Sequence, residues 1–487
     1  MTALDYAVLV IYLAGVLWVG GRLGSGQKSL KGFFLGGRTI PWWAAACSGI
    51  ATMVSAIGFI GAPSQAFASD WTYLQARLAW PVAIFVACAL FIPFFHRLEV
   101  FTAYEYLERR FDSRTRLVAA GVFLLLKCGY TAVAIYAPAL VVSEMTGLPA
   151  AWVCLGIGGL TTAYTCVGGM RAVIWTDTLQ FLVLLGGLLA ALYYAVGSVD
   201  GGFAAIVAEG SAAEKFRFLD WSSSLETEFT AWGGLIGGTF FLLSQYVVDQ
   251  AELQRFLTTA SVRGSRRALV STMVFTSIYG LVVFFIGTAL YVHYSHEPSQ
   301  AAFAMDPDRV FPMFILENMP TGLRGLLLAG IFAAAMSTVS SILNSLATVT
   351  VRDMLEPLAR TTGSVRLARW ATLAFGCLTT ALSLRADFFG TVLIAQGKIR
   401  NFFGGSLVGV FLLGLLSPRA NASGAFWSIL VSFSATALLA TATDVSWMWY
   451  SVFSAAVSYA VGIAISQSSE APSRDELDGL VWRQRNG

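Results

Sequence analysis

Long apolar tracts separated by short polar connectors fill almost the whole chain, and the tracts set the first expectation. They fall at about 5–21, 42–67, 72–95, 117–142, 149–168, 174–197, 230–249, 269–292, 322–349, 367–384, 388–416, 422–439 and 446–465. Most approach or exceed the roughly 20 residues that carry a helix across about 30 Å of hydrocarbon. The pattern predicts an all-α integral membrane protein with about thirteen transmembrane helices. They form a single transmembrane domain over 1–468, followed by a short tail at 469–487.

The connectors test that count. Basic residues gather after the first tract (Arg22, Lys28, Lys31, Arg38), between the third and fourth (Arg97, Arg109, Arg110, Arg114, Arg116), and at Arg171. They gather again at Arg255, Arg263, Arg266 and Arg267, at Arg352, Arg360, Arg366 and Arg369, and at Arg419. With thirteen crossings all of these lie on one side, and the opposite connectors, such as 199–229 and 293–320, are poor in basic residues or mixed with acid. The positive-inside rule then predicts an outside N-terminus and a cytoplasmic tail, in a plasma (inner) membrane.

Composition agrees, since 56% of residues are hydrophobic and only 12% charged, where a soluble chain carries about a quarter. The net charge of +3 suggests no nucleic-acid partner. The six cysteines lie in apolar tracts without metal-ligand spacing. No phosphate loop or nucleophile–base set appears, which points to a secondary carrier and not an enzyme. The start of the chain lacks a basic leader, so its first tract is expected to be retained. Nothing implies an obligate protein partner beyond the lipid bilayer.

Several tracts carry more than an anchor needs. In 42–67, Gly49, Gly58, Gly61 and Pro63 predict either a break that frees backbone carbonyls or a close-packed face. In 322–349, Ser337, Ser340, Ser341 and Asn344 fall on one helical stripe with Thr338 beside it. Those oxygens suit a small hard cation, although serine also bonds its own helix. Asp177, inside the 174–197 tract, reads as an ion ligand or as a helix cap. Lys127, with Gln396, Lys398 and Arg400 in the 388–416 tract, could favour an anionic solute, snorkel, or pair with a carboxylate such as Glu144.

Separated motifs sharpen this reading: Gly32-Phe33-Phe34-Leu35-Gly36-Gly37-Arg38, Gly168-Gly169-Met170-Arg171-Ala172-Val173-Ile174-Trp175-Thr176-Asp177, Asp249-Gln250-Ala251-Glu252-Leu253-Gln254-Arg255, and the serine stripe ending at Asp353. With these the chain resembles the sodium:solute symporter family from about residue 5 to 465. Tyr130-Thr131 and Tyr136-Ala137-Pro138-Ala139-Leu140 are most similar to its iodide, monocarboxylate and multivitamin branch. The resemblance implies a LeuT-like fold, an inverted repeat of five plus five helices over about 42–198 and 230–416.

It also implies Na+ as coupling ion, bound by the carbonyls of Ala51, Val54 and Ala334 and the hydroxyls of Ser337 and Thr338. A second sodium site would use Asp177, Ser337, Ser340 and Ser341. For the solute, Gln396 matches a glutamine of the sugar-carrying members, but Met53 and Gly58 replace their polar groups, which argues against a sugar. Thr52, Ser55, Gln75, Lys127 and Gln396 are the candidate polar contacts, with Phe240 or Phe241 as an apolar wall. The expected activity is sodium-coupled symport, by alternating access, of a small solute such as an organic anion or other polar metabolite. The alternatives are a membrane solute sensor, a channel or a proton-coupled carrier on the same fold.

Overall fold

A computed structural model describes residues 1–24, 27–295, 306–359, 363–385, 392–468, 472–473 and 477–482. Every regular element of the described chain is a helix. Helix α1 (Ala3–Gly24) is followed by α2 (Trp42–Met53) and α3 (Ala56–Ala68). Next comes α4 (Trp71–Leu98), which opens as a 3₁₀ helix over Trp71–Ala79. The short α5 (Ala103–Arg110) leads into α6 (Ser113–Thr146) and α7 (Ala150–Gly197). The second half holds α8 (Gly233–Val248), α9 (Gln250–Phe256), α10 (Val262–Tyr294) and α11 (Leu323–Val349). It closes with α12 (Val365–Ser383), α13 (Val392–Leu416), α14 (Ala422–Ala442) and α15 (Tyr450–Ser466).

Local chemistry sets many of the ends. Thr102, Asp112, Ser261, Ser364 and Asn421 cap helix starts by accepting a backbone N–H three residues on, satisfying donors the helix leaves free. Gly147, at φ 74°, closes α6 in the left-handed conformation that glycine adopts without a Cβ clash.

Among the described residues, eight helices are long and apolar enough to cross a bilayer, or nine if the bent pair α2–α3 is one span. The thirteen expected tracts exceed that number for traceable reasons. Tracts 149–168 and 174–197 fall in the single 48-residue α7, roughly 72 Å of helix and over twice a bilayer. It is interrupted at Gly169, where φ 56° and ψ −153° leave helical space and a Cβ would collide with the Phe33 carbonyl. Tract 230–249 is α8, a short helix with π turns over Gly233–Gly237 and Ser244–Val248. Tract 367–384 is α12, which bears Arg366 and Arg369 near its start. Tract 388–416 begins outside the described residues, and its apolar helix is counted from Arg400 to Leu416.

The bundle is organised around α11. Within the membrane-length window of Leu323–Ala359, 94% of residues are buried, against 22% for α1. Helices α7, α6, α1, α12 and α2 pack on it. A polar stripe survives at that depth because its hydroxyls find backbone and side-chain partners. At one end of the bundle the Tyr106 hydroxyl donates to the Leu480 carbonyl at 3.2 Å, and Leu477 and Val481 are buried. Residues 477–482 therefore lie against α5.

Candidate functional site

Helix α2 stops at Met53. Val54 takes φ −78°, ψ 68°, and Ser55 is extended at φ −65°, ψ 157°, its Oγ accepting the Gly58 N–H at 3.3 Å to start α3. The two segments are bent by 53°. The break thus falls at Val54-Ser55, with Pro63 carried inside α3. Gly49 serves packing, since a Cβ there would sit 2.7 Å from Thr272 Oγ1 of α10.

A helix end leaves carbonyls without an intrahelical donor, and α11 meets them. Ser337 Oγ lies 2.8 Å from the Ala51 carbonyl and 3.2 Å from that of Ala334. Thr338 Oγ1 lies 3.1 Å from the Thr52 carbonyl and 3.0 Å from that of Ala334. Ala51, Ala334, Ser337 and Thr338 are therefore brought together, and Val54 is buried at the break beside them. Carbonyl and hydroxyl oxygens at an unwound segment are the ligands that coordinate sodium in carriers of this kind.

One turn further along α11 lies Asp177 of α7, fully buried. It caps no helix. Ser48 of α2 donates to its carboxylate at 2.6 Å, and Ser340 and Ser341 of α11 approach at 3.4 Å. Three helices thus meet at one carboxylate. The fourth neighbour is Arg255, at 4.0 Å.

Arg255 departs most from the sequence reading, which counted it among connector cations. It is fully buried on α9. Its guanidinium donates to Ser48 at 2.8 Å, and to Glu252, Thr52 and Ser341 at 2.7 Å each. It therefore touches α2 and the hydroxyl stripe of α11 in the interior of the bundle and cannot report topology. Its place in the Asp249–Arg255 motif, directly after an apolar tract, was the available signal.

Beside the break, α2–α4, α8, α10 and α13 enclose a cavity of about 170 Å³. Its aromatic wall is Tyr73, Trp80, Phe241, Tyr279 and Phe284, and its polar groups include Ser55, Arg77, Gln245, Thr276 and Arg400. Of the candidate solute contacts, Ser55 lines it. Thr52 instead faces Arg255 and Ser341. Gln75 holds the loop before α8, donating to the Phe229 carbonyl at 3.1 Å and accepting the Asp220 N–H at 2.9 Å. Phe240 packs on the core while its neighbour Phe241 forms the wall. The Gln396 side chain lies outside the described residues.

Lys127 is ion-paired with Asp249 and stands 5.3 Å from the Tyr130 ring centre. Glu144, its candidate partner from sequence, pairs with Arg309 instead. The cations on the cavity are thus Arg77, which the tract pattern passed over as one charge at the head of α4, and Arg400.

A many-helix membrane bundle with a broken helix facing a buried hydroxyl stripe defines a class, the ion-coupled secondary carriers. The chain belongs to the sodium:solute symporter family, whose model matches residues 33–432. It is a multi-pass membrane protein that moves a small solute together with sodium by alternating access, and it is not an enzyme. It is 33% identical over 456 residues to the sodium/sialic acid symporter SiaT of Proteus mirabilis, covering 92% of each chain. It is 32% identical to the human sodium/iodide cotransporter, covering 87% of this chain and 67% of that one. Its fold is similar, at a TM-score of 0.87 and 30% identity, to a sodium-coupled sialic acid symporter solved substrate-bound and outward-open, covering 97% and 99% of the two chains. The family expectation stands, while the narrower iodide, monocarboxylate and multivitamin branch is not singled out among these relatives.

Proposed function

We propose that this symporter carries a small organic anion, and that sodium binds where α2 breaks against α11. The observation that carries the ion assignment is the approach of Ser337 and Thr338 to the carbonyls of Ala51 and Thr52. In the proposed first site Ala51, Val54 and Ala334 offer carbonyls and Ser337 and Thr338 offer hydroxyls. A second sodium would sit with Asp177, Ser337, Ser340 and Ser341.

Sodium joins α2 to α11 and so holds the solute cavity in shape, and the solute favours the same conformation. That shared preference is all that coupling requires. Anion selectivity is supported by Arg77 and Arg400 on a cavity that no carboxylate lines among the described residues. The wider architecture belongs to the same proposal: thirteen spans, with five-plus-five inverted repeats over about 42–198 and 230–416. The N-terminus is outside and the tail cytoplasmic, an orientation supported by the remaining basic connector residues after the buried Arg110, Arg116 and Arg255 are withdrawn.

The test is uptake by proteoliposomes of labelled monocarboxylates, dicarboxylates, iodide, an acidic sugar and neutral amino acids, with and without an inward sodium gradient. Sodium-driven uptake of organic anions is expected. Sodium-driven uptake confined to neutral solutes would overturn the anion assignment.

A further inference from the structure

The charges around the solute cavity do not cancel. Lys127 is paired with Asp249, and Arg255 lies between Glu252 and Asp177. That leaves Arg77 and Arg400. Arg77 donates to the Thr276 carbonyl at 2.7 Å and its guanidinium carbon is 5.5 Å from the Trp80 ring centre. A Cβ at position 280 would collide with it, so Gly280 lets the guanidinium lie against α10. The Arg400 guanidinium carbon stands 4.4 Å from the Tyr130 ring centre, and its buried Nε has no hydrogen-bond partner. Neither arginine has a carboxylate within ion-pair distance among the described residues, although Arg400 is in electrostatic range of Glu252 and Lys127.

Among the described residues, with every group ionised, the two cations on the cavity (Arg77, Arg400) and the two paired behind it (Lys127, Arg255) stand against three carboxylates (Asp177, Asp249, Glu252), an excess of one positive charge. One bound sodium raises that excess to two, and a second beside Asp177 to three. Inside a membrane protein such an excess is costly unless a counter-charge arrives. Each guanidinium can present a planar, two-point donor face to a carboxylate. The partly open cavity of about 170 Å³ is close to the roughly 150 Å³ that accepts benzene, a body of six non-hydrogen atoms, in an engineered protein cavity, so it suits a compact solute.

We propose that Arg77 and Arg400 form a clamp that selects a compact dicarboxylate, one guanidinium for each carboxylate, over a monocarboxylate of the same length. This rests on the organic-anion reading above and names its substrate class.

The test is equilibrium binding to the purified full chain, in sodium chloride and in choline chloride. Succinate and glutarate are compared with butyrate and valerate, with a neutral amino-acid panel alongside. The clamp predicts that in sodium at least one dicarboxylate binds ten-fold or more tighter than its monocarboxylate partner. Arg77→Gln and Arg400→Gln should each bring that ratio near one, and Arg77→Lys and Arg400→Lys should restore part of it. Monocarboxylates binding as well as dicarboxylates, neither dicarboxylate binding, or a ratio unmoved in folded Gln variants would each overturn the clamp. Sodium-dependent binding of monocarboxylates as tight as or tighter than that of the dicarboxylates would sink the clamp alone and leave the organic-anion reading standing. Sodium-dependent binding of neutral solutes only would sink both. The wild-type comparison needs no variant, so a variant that fails to fold does not rescue the proposal.

Discussion

Arg255 stands 4.0 Å from Asp177, and both side chains are fully buried. The guanidinium also holds Glu252 and shares Ser48 and Ser341 with the Asp177 carboxylate. One side chain thus supplies the fixed positive charge for two buried carboxylates. Removing it strands them, the circumstance in which breaking a buried ion pair costs about 3–5 kcal/mol. Arg255→Gln is expected to lower the apparent melting temperature in detergent sharply, and Asp177→Asn on that background to recover part of the loss. A fluorescence melting scan checks both. An unchanged melting temperature for Arg255→Gln would contradict the network.

Asp177 itself is predicted to set sodium stoichiometry. Its carboxylate collects Ser48, Ser340 and Ser341 from two other helices, a set that a second sodium could share. Asp177→Asn should keep measurable uptake while the Hill slope for sodium falls from near two to near one. A slope of two in the variant would remove Asp177 from ion binding.

Thr338 presents one hydroxyl to the carbonyls of Thr52 and Ala334. Thr338→Ser keeps that oxygen and should leave the sodium half-saturation within about two-fold. Thr338→Val keeps the shape, loses the oxygen, and should raise it ten-fold or more, a loss of about 1.4 kcal/mol or greater in binding free energy. Uptake measured against sodium concentration separates the two, and equal curves would contradict a ligand role.

Lys127 and Asp249 pair across α6 and the start of α9. Lys127→Ala leaves Asp249 with its main countercharge gone and should cost expression and stability. A charge exchange, Lys127→Asp with Asp249→Lys, should recover more of both than either single change. Yield and melting temperature of the four proteins read this directly. Full stability of Lys127→Ala would show the pair to be dispensable.

These positions also show what a sequence can and cannot expose. The interruption or close-packed face in 42–67 and the hydroxyl stripe in 322–349 were legible because glycines within an apolar tract and hydroxyls at helical spacing are local signals. Asp177 was legible as a carboxylate placed where lipid alone would not tolerate it. The cavity was not, because which side chain faces a space depends on packing between distant segments. Gln75 is polar in an apolar tract, yet its amide is taken by backbone at 220 and 229. Arg255 follows an apolar tract as a topogenic arginine would, and only the fold turns it inward. The span count exceeded the described helices that pass on length and apolarity because one kinked 48-residue helix carries two tracts, while those at 230–249, 367–384 and 388–416 form shorter or less apolar helices.

In the proposed mechanism sodium couples to the solute where α2 breaks against α11, through Ser337 and Thr338. The most direct measurement is ²²Na⁺ entry into proteoliposomes driven only by an inward gradient of the transported solute. Wild type should accumulate sodium, while Ser337→Ala, if folded and still binding solute, should lose most of that coupled entry. Sodium accumulation by Ser337→Ala at the wild-type rate and sodium half-saturation would remove Ser337 from the coupling site.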